Sequence, residues 1–285
     1  MNRGTVPPLQ LLPFSKMHGA GNDFVVIDCR ERPLPLDAEA IARLGDRHNG
    51  VGFDQLLTIE PAHDPDCAFR YGIYNRDGSQ AGQCGNGVRC VAAWLRRAGT
   101  LGDGMTRLQS PSGAVAVEML GDGRVRVDMG VPQFAPQSVP LREDAQALLY
   151  TRGMGADDVT FGAVSMGNPH AVIEVPDITA ASVDTWGPAL ETHADFPDRA
   201  NIGFAQVMSA HEIRLRVWER GVGETLACGS GACAAVVVLA SRGRVGRDVD
   251  VHLPGGVLQI SWAGPGQPVW MTGPATFVFE GNYYL

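Results

Sequence analysis

Two cysteines sit in turns of the same composition, Cys84-Gly85-Asn86-Gly87 and Cys228-Gly229-Ser230-Gly231, each opening what reads as a helix. The glycines let the backbone turn tightly and approach a ligand, and Asn86 and Ser230 are residue types that cap helix N-termini. The first amides of a helix are unpaired and carry the positive end of its dipole, so they attract a carboxylate. A thiol placed there is expected to have its pKa lowered from about 8.5, which makes the thiolate accessible near neutrality. One such turn is a base beside an anion site. Two turns facing each other across a cleft would take a proton from one face of a carbon and deliver one to the other. The amides would stabilise the charge that develops on the adjoining carboxylate, and closure would exclude water. The pair would hold one proton between two sulfurs and titrate as a unit.

Cys29, Cys67, Cys90 and Cys233 lack the glycine cradle and read as small buried residues. None forms a C-x-x-C pair, and neither cysteine cluster is followed by the second Cys/His pair of a zinc site, so no metal is expected. No G-x-G-x-x-G fingerprint follows a strand, and no lysine has an evident Schiff-base setting, so no cofactor is expected.

The chain is written twice. Residues 84–93 (CGNGVRCVAA) echo residues 228–235 (CGSGACAA), an offset of 144. Asn75-Arg76 lies nine residues before the first cysteine, and Glu219-Arg220 nine before the second. Upstream, Gly21-Asn22-Asp23-Phe24 is matched by Gly167-Asn168-Pro169-His170 at an offset of 146. Val51-Gly52-Phe53-Asp54-Gln55 is matched by Ile202-Gly203-Phe204-Ala205-Gln206 at 151. This period is far too long for a solenoid and implies two duplicated domains.

Within each half the signals are mostly β. Phe24–Asp28 reads as a short apolar strand. Ala114–Leu120 with Arg124–Met129, and Val251–Leu253 with Val257–Trp262, read as hairpins across glycine-containing turns. Ile213, Leu215 and Val217 alternate with Arg214, Arg216 and Trp218 in a half-buried strand ending at Glu219. One clear helix per half follows the cysteine turn, over Asn86–Arg97 and Ser230–Arg242, each closed by glycine after basic residues. The second is apolar all round and must be enclosed on every side. The expected class is therefore α+β, with two pseudo-symmetric halves, each a curved sheet or barrel around a central helix, and a site in the cleft between them.

The 285 residues are 45% hydrophobic and 19% charged with a net charge of −8, a balance that speaks against a nucleic-acid partner. No apolar run approaches the roughly 18 residues of a membrane span. Residues 1–12, proline-broken and with one arginine, read as a loose extension and not a signal peptide, so a cytoplasmic protein is expected.

The blocks FSKMHGAGNDFVVID, GVGFDQLL, CGNGVRC, MGNPHAV, NIGFAQV, ERGVGETLACGSGACA and HLPGGVLQISW closely resemble, in order, those of the diaminopimelate epimerase family, from Phe14 to the end. The resemblance implies a pyridoxal-free interconversion of LL- and meso-diaminopimelate, on the route to lysine and peptidoglycan, by a homodimer. It implies domains over residues 1–128 and 129–273, with the last strand, 274–285, returning to the first. Carried over by position, Cys228 would take the proton from the LL substrate and Cys84 would donate to the other face. His170 and Glu219 would tune the cysteines. Substrate contacts would come from Asn22, Gln55, Asn75, Asn168, Asn201, Glu219 and Arg220, with amides at Gly85-Asn86 and Gly229-Ser230. Arg220 suits a bidentate grip on the distal carboxylate. His18 and Gln206 are read as structural.

One departure from the family is visible: Ser79-Gln80-Ala81-Gly82-Gln83 precedes Cys84 where acidic residues are commoner. The rival readings are a racemase of the same fold acting on proline, hydroxyproline or histidine, and a thiol-redox or binding protein. The proline type usually has histidine where Asn86 stands here.

Overall fold

The computed structural model describes residues 11–155 and 157–285. In the first half, β1 (Leu11–Gly19) and β2 (Asn22–Asp28) lead through α1 (Ala38–Gly45) to β3 (Gln55–Glu60) and β4 (Phe69–Asn75). Then come α2 (Gly85–Arg97) and the strands β5 (Gly104–Ser110), β6 (Gly113–Met119) and β7 (Val125–Asp128). The second half opens with β8 (Tyr150–Met154) and β9 (Asp157–Ser165), then β10 (Pro169–Glu174), α3 (Val183–Glu191), β11 (Asn201–Ser209) and β12 (Glu212–Glu219). After the short β13 (Gly223–Thr225) it continues with α4 (Gly229–Ser241), β14 (Asp248–Leu253), β15 (Gly256–Trp262) and β16 (Val269–Gly273), and β17 (Thr276–Tyr284) closes the chain.

The pairing pattern is the same in both halves. β1 runs antiparallel to β2, β2 parallel to β3, and β3 antiparallel to β4. β9 through β12 repeat this sequence of orientations. Each parallel step needs a crossover. The helices α1 and α3 supply one in each half, and α2 and α4 supply the other, from β4 to β5 and from β12 to β14. The halves are joined by antiparallel pairing of β7 with β16, and β17 returns to pair with β1.

This register corrects one element of the sequence repeat. Phe24 lies opposite Gln55, and His170 opposite Asn201; both members of the second pair stand 146 residues after those of the first. Gln55 therefore corresponds to Asn201, the first residue of β11, and the match to Gln206 at 151 is a coincidence of composition. Gln206 bonds Pro176 and Ile178 at the outer end of its strand. The helices α1 and α3 were missed. α1 carries a legible signal in Asp37, whose carboxylate accepts from the Ala40 amide. α3 has no side-chain cap and contains Pro188. Of residues 1–12, expected as a loose extension, the first ten lie outside the described residues, while Leu11 and Leu12 belong to β1 and Leu12 is buried.

Both hairpins form, the second around the two-residue turn Pro254-Gly255. α4 is enclosed as its sequence requires: every residue from Gly229 to Leu239 except Ser230 is buried. The helices α2 and α4 approach one another at their N-terminal ends, and fully buried Met271 of β16 fits between them. A Cβ added to Gly85 would lie 2.7 Å from its Cε, and one added to Gly229 would lie 3.0 Å from its Sδ. Met271→Ala removes this spacer and is expected to lower stability by about 2–5 kcal/mol, the usual range for emptying a buried methionine site. Chemical denaturation measures it, and a loss below about 1 kcal/mol would mean that the two helix ends do not depend on Met271.

Candidate active site

Each of α2 and α4 is headed by the cysteine itself. Cys84 and Cys228 have extended backbones and occupy the N-cap positions, where each sulfur accepts the amide of the residue three further on, Gly87 and Gly231, at 3.4 Å. Asn86 and Ser230, expected as caps, lie inside the first turn. Asn86 Nδ2 crosses the interface between the halves to donate to the Ala227 carbonyl at 3.2 Å, which ties the first cysteine turn to the residue before the second.

Both turns open on one cavity of about 1380 Å³. Its wall includes Asn22, Gln55, Asn75, Cys84, Gly85, Asn86, Asn168, Glu219, Arg220, Cys228, Gly229 and Ser230. Asn22 Oδ1 accepts from the Cys84 thiol at 3.8 Å and from Asn86 Nδ2 at 3.4 Å, and its Nδ2 donates to Asp54. Asn168, its counterpart, donates to Ser230 Oγ, which lies 3.6 Å from Cys228 Sγ. Gln55 Nε2 donates to Asn75 Oδ1 at 3.0 Å, and Asn75 donates on to Ser79.

His170 and Asn201 do not line the cavity. His170 is buried behind it, its Nε2 3.0 Å from Asn168 Oδ1. Asn201 is also buried; it donates to the Pro169 carbonyl and accepts from the Arg220 amide at 3.0 Å. Both hold wall residues in place. Among the described residues the guanidinium of Arg220 meets only the Asp198 carbonyl. His18 accepts from the Gly21 amide, a turn role. In the loop before Cys84, the Asn75 amide donates to the Ser79 carbonyl and the Ala81 amide to the Ile73 carbonyl. Backbone bonds therefore set its path, and its departure from acidic residues leaves the cysteine turn in place. Sequence reading missed the Arg47–Asp23–Asp54 ion-pair cluster on the rim.

The family model for diaminopimelate epimerase matches residues 14–135 and 162–278. Diaminopimelate epimerases of Xanthomonas axonopodis pv. citri and Xanthomonas euvesicatoria pv. vesicatoria are each 56% identical to this chain over 273 residues, 95% of it and 96% of theirs. The chain belongs to the diaminopimelate epimerase family. It is accordingly an isomerase. A hydroxyproline epimerase from Agrobacterium vitis has the same fold at a TM-score of 0.69 and 16% identity, covering 96% of this chain and 93% of its own. A PhzF-family phenazine biosynthesis protein from Bacillus anthracis does so at 0.68 and 14%, covering 97% and 100%.

The electrostatics of this family member differ from the sequence expectation. Burial, with the charge of Glu219, pushes the Cys84 thiol up to about 11, and the Gly87 amide and the charge of Arg89 offset only part of that. Cys228 is raised well above its ordinary value by burial and by the facing Glu219 carboxylate, against the pull of Ser230 and the Gly231 amide. The helix amides act in the expected direction, but desolvation outweighs them. Burial also raises Glu219, partly countered by hydrogen bonds from Thr225 and Cys228. His170 is held down to about 3 by burial and by the charge of Arg220, so it is a neutral ring at ordinary pH.

The His170 shift has a measurable sign. Its folded pKa lies below the unfolded value, so its contribution is intact above about pH 6.5 and is lost as pH falls toward 3, at up to about 1.4 kcal/mol per pH unit. Its ring proton resonances should not titrate between pH 5 and 8, and His170→Asn should flatten the acid limb of stability. A normal titration near 6.5 would show that the ring reaches solvent or a negative partner.

Proposed function

We propose that this chain interconverts LL- and meso-diaminopimelate without pyridoxal phosphate, by moving protons at one α-carbon between Cys84 and Cys228. The observation that carries this reading is the convergence of two cysteine-headed helix N-termini on one cavity. The α-carboxylate would rest on the free amides at Gly85-Asn86 and Gly229-Ser230, which also stabilise the charge that spreads onto it when the proton leaves. Cys228 Sγ would take the proton from the LL centre, and the Cys84 thiol would supply one to the opposite face.

Burial favours the thiol form of both sulfurs, and the chemistry needs one thiolate. The substrate itself brings the missing cation: an α-ammonium group entering a buried cavity favours ionisation of the neighbouring thiol. Asn22 and Asn168, with Ser230, orient the two sulfurs. Gln55, Asn75 and Glu219 face the substrate backbone and amines, and Arg220 grips the distal carboxylate. His170 and Asn201 position Asn168 and Arg220. The activity belongs to lysine and peptidoglycan synthesis in the cytoplasm, with the chain acting as a homodimer. The halves divide at residues 128 and 129, with 274–285 returning to the first.

Reduced protein incubated with LL-diaminopimelate and no pyridoxal phosphate should form the meso isomer, read by chiral separation. No conversion, or conversion only with added pyridoxal phosphate, contradicts the reading. Arg220→Lys keeps the charge but loses the planar fork, and should raise KM at least tenfold. Unchanged KM and kcat would remove Arg220 from the site.

A further inference from the structure

The two cysteine turns repeat with an offset of 144, and the same offset maps α2 onto α4 end to end. It maps Arg89 onto Cys233, and both side chains are fully buried. The repeat is thus broken at one interior position, where an apolar thiol is replaced by a cation.

Arg89 has no carboxylate partner among the described residues. Its Nε donates to the Pro274 carbonyl at 3.2 Å, and its Nη1 meets the Gly85 carbonyl at 3.4 Å and Met271 Sδ at 3.6 Å. Nη2 is buried and has no hydrogen-bond partner. Two glycines make room for the group: a Cβ on Gly19 would lie 2.9 Å from Nη2, and one on Gly273 3.1 Å from Cζ. A buried, unpaired charge is costly, and this one lies beside the positive ends of two helices, where it gains nothing from their dipoles. The carbonyl it holds belongs to the residue after Cys84.

We propose that Arg89 is a positioning residue of the reaction, the fixed counter-charge for the sulfur of Cys84 once that thiol has given up its proton. In the delivery step the S–H bond of Cys84 breaks, the new C–H bond forms from the substrate's carbanion pair, and the negative charge stays on sulfur. Arg89 would act on that charge from inside the protein, wholly buried and held to the carbonyl of the adjoining Gly85. The charged and titratable groups that influence the two sulfurs divide unevenly: Arg89 of the same helix, Tyr71 of β4 and Glu219 of β12 for Cys84, and Glu219 for Cys228. The other thiols near Arg89, Cys90 and Cys233, are neutral, pushed up to about 12 by burial. The positive charge of Arg89 therefore favours an anion at Cys84 over one at Cys228. This assignment rests on the proposed role of Cys84, but its test does not need turnover.

The test is the pH dependence of Cys84 alkylation by iodoacetamide, read by mass spectrometry of the Cys84 peptide, in wild type, Arg89→Lys and Arg89→Met, with Cys228 followed in the same samples. Arg89→Met should slow Cys84 at pH 9 by tenfold or more and Cys228 by much less, while Arg89→Lys stays within a few-fold of wild type. Folded Arg89→Met with an unchanged Cys84 profile overturns the proposal. If Arg89→Met does not fold, wild-type protein labelled with 15N-arginine answers the question. The Arg89 Nε resonance should move with pH at the Cys84 alkylation midpoint and stay fixed in Cys84→Ser; a resonance that does not follow Cys84 overturns it. Diaminopimelate turnover by the wild type is assayed separately, so failure of that activity and failure of the Arg89 role are told apart.

Discussion

Everything in the site depends on two helix N-termini meeting end to end, their first residues glycines with the Met271 side chain wedged between them. Gly85 and Gly229 leave space that Met271 fills from both sides, and Asn86 spans the gap to the Ala227 carbonyl. Larger residues at those glycines would meet Met271, so the spacing of the two cysteines is set by the packing of one methionine against two missing side chains. The duplicated topology exists to make this meeting. Each half carries its helix out of the same strand order, and the β7–β16 seam holds the halves so that the two ends face one cavity.

The cavity carries charge of both signs, from Asp23, Arg47, Asp54, Arg76, Glu219, Arg220 and Glu224. Among these groups stand the side-chain amides of Asn22, Gln55, Asn75, Asn86 and Asn168, which donate and accept without fixing a charge. Burial favours the protonated form of both thiols. A buried thiol with a raised pKa resists oxidation and alkylation better than an exposed thiolate would. Glu219 raises both cysteines while the charge of Arg89 lowers Cys84, so two turns that look alike in sequence are electrostatically unequal.

Much of this was legible in the residues. The cysteine turns, the enclosure of α4 and both hairpins follow from glycine placement and apolar periodicity, and the likeness of Asn22 to Asn168 pointed to paired strand entries. Other features escaped for physical reasons. The thiol pKa depends on desolvation, a property of the tertiary packing that a local turn motif does not contain. The correspondence of Gln55 with Asn201 is fixed by strand register, whereas similar composition pointed to Gln206. Asn201, expected to contact substrate, bonds the Arg220 amide from behind the wall, and sequence does not separate a residue that lines a cavity from one that holds the lining. Arg89 had a visible signal, a charge where the repeat has cysteine, and it was readable only once the helices were aligned.

The central claim is that two different sulfurs serve the two faces of one carbon. The most direct measurement runs the reaction in heavy water from LL-diaminopimelate and follows deuterium at the α-carbon, at early times, in recovered substrate and in product. With two bases, the product carries deuterium at the inverted centre from the first turnovers while remaining substrate keeps its hydrogen. Product that retains the original hydrogen, or substrate that exchanges before it inverts, would show one base working on both faces and would contradict the account.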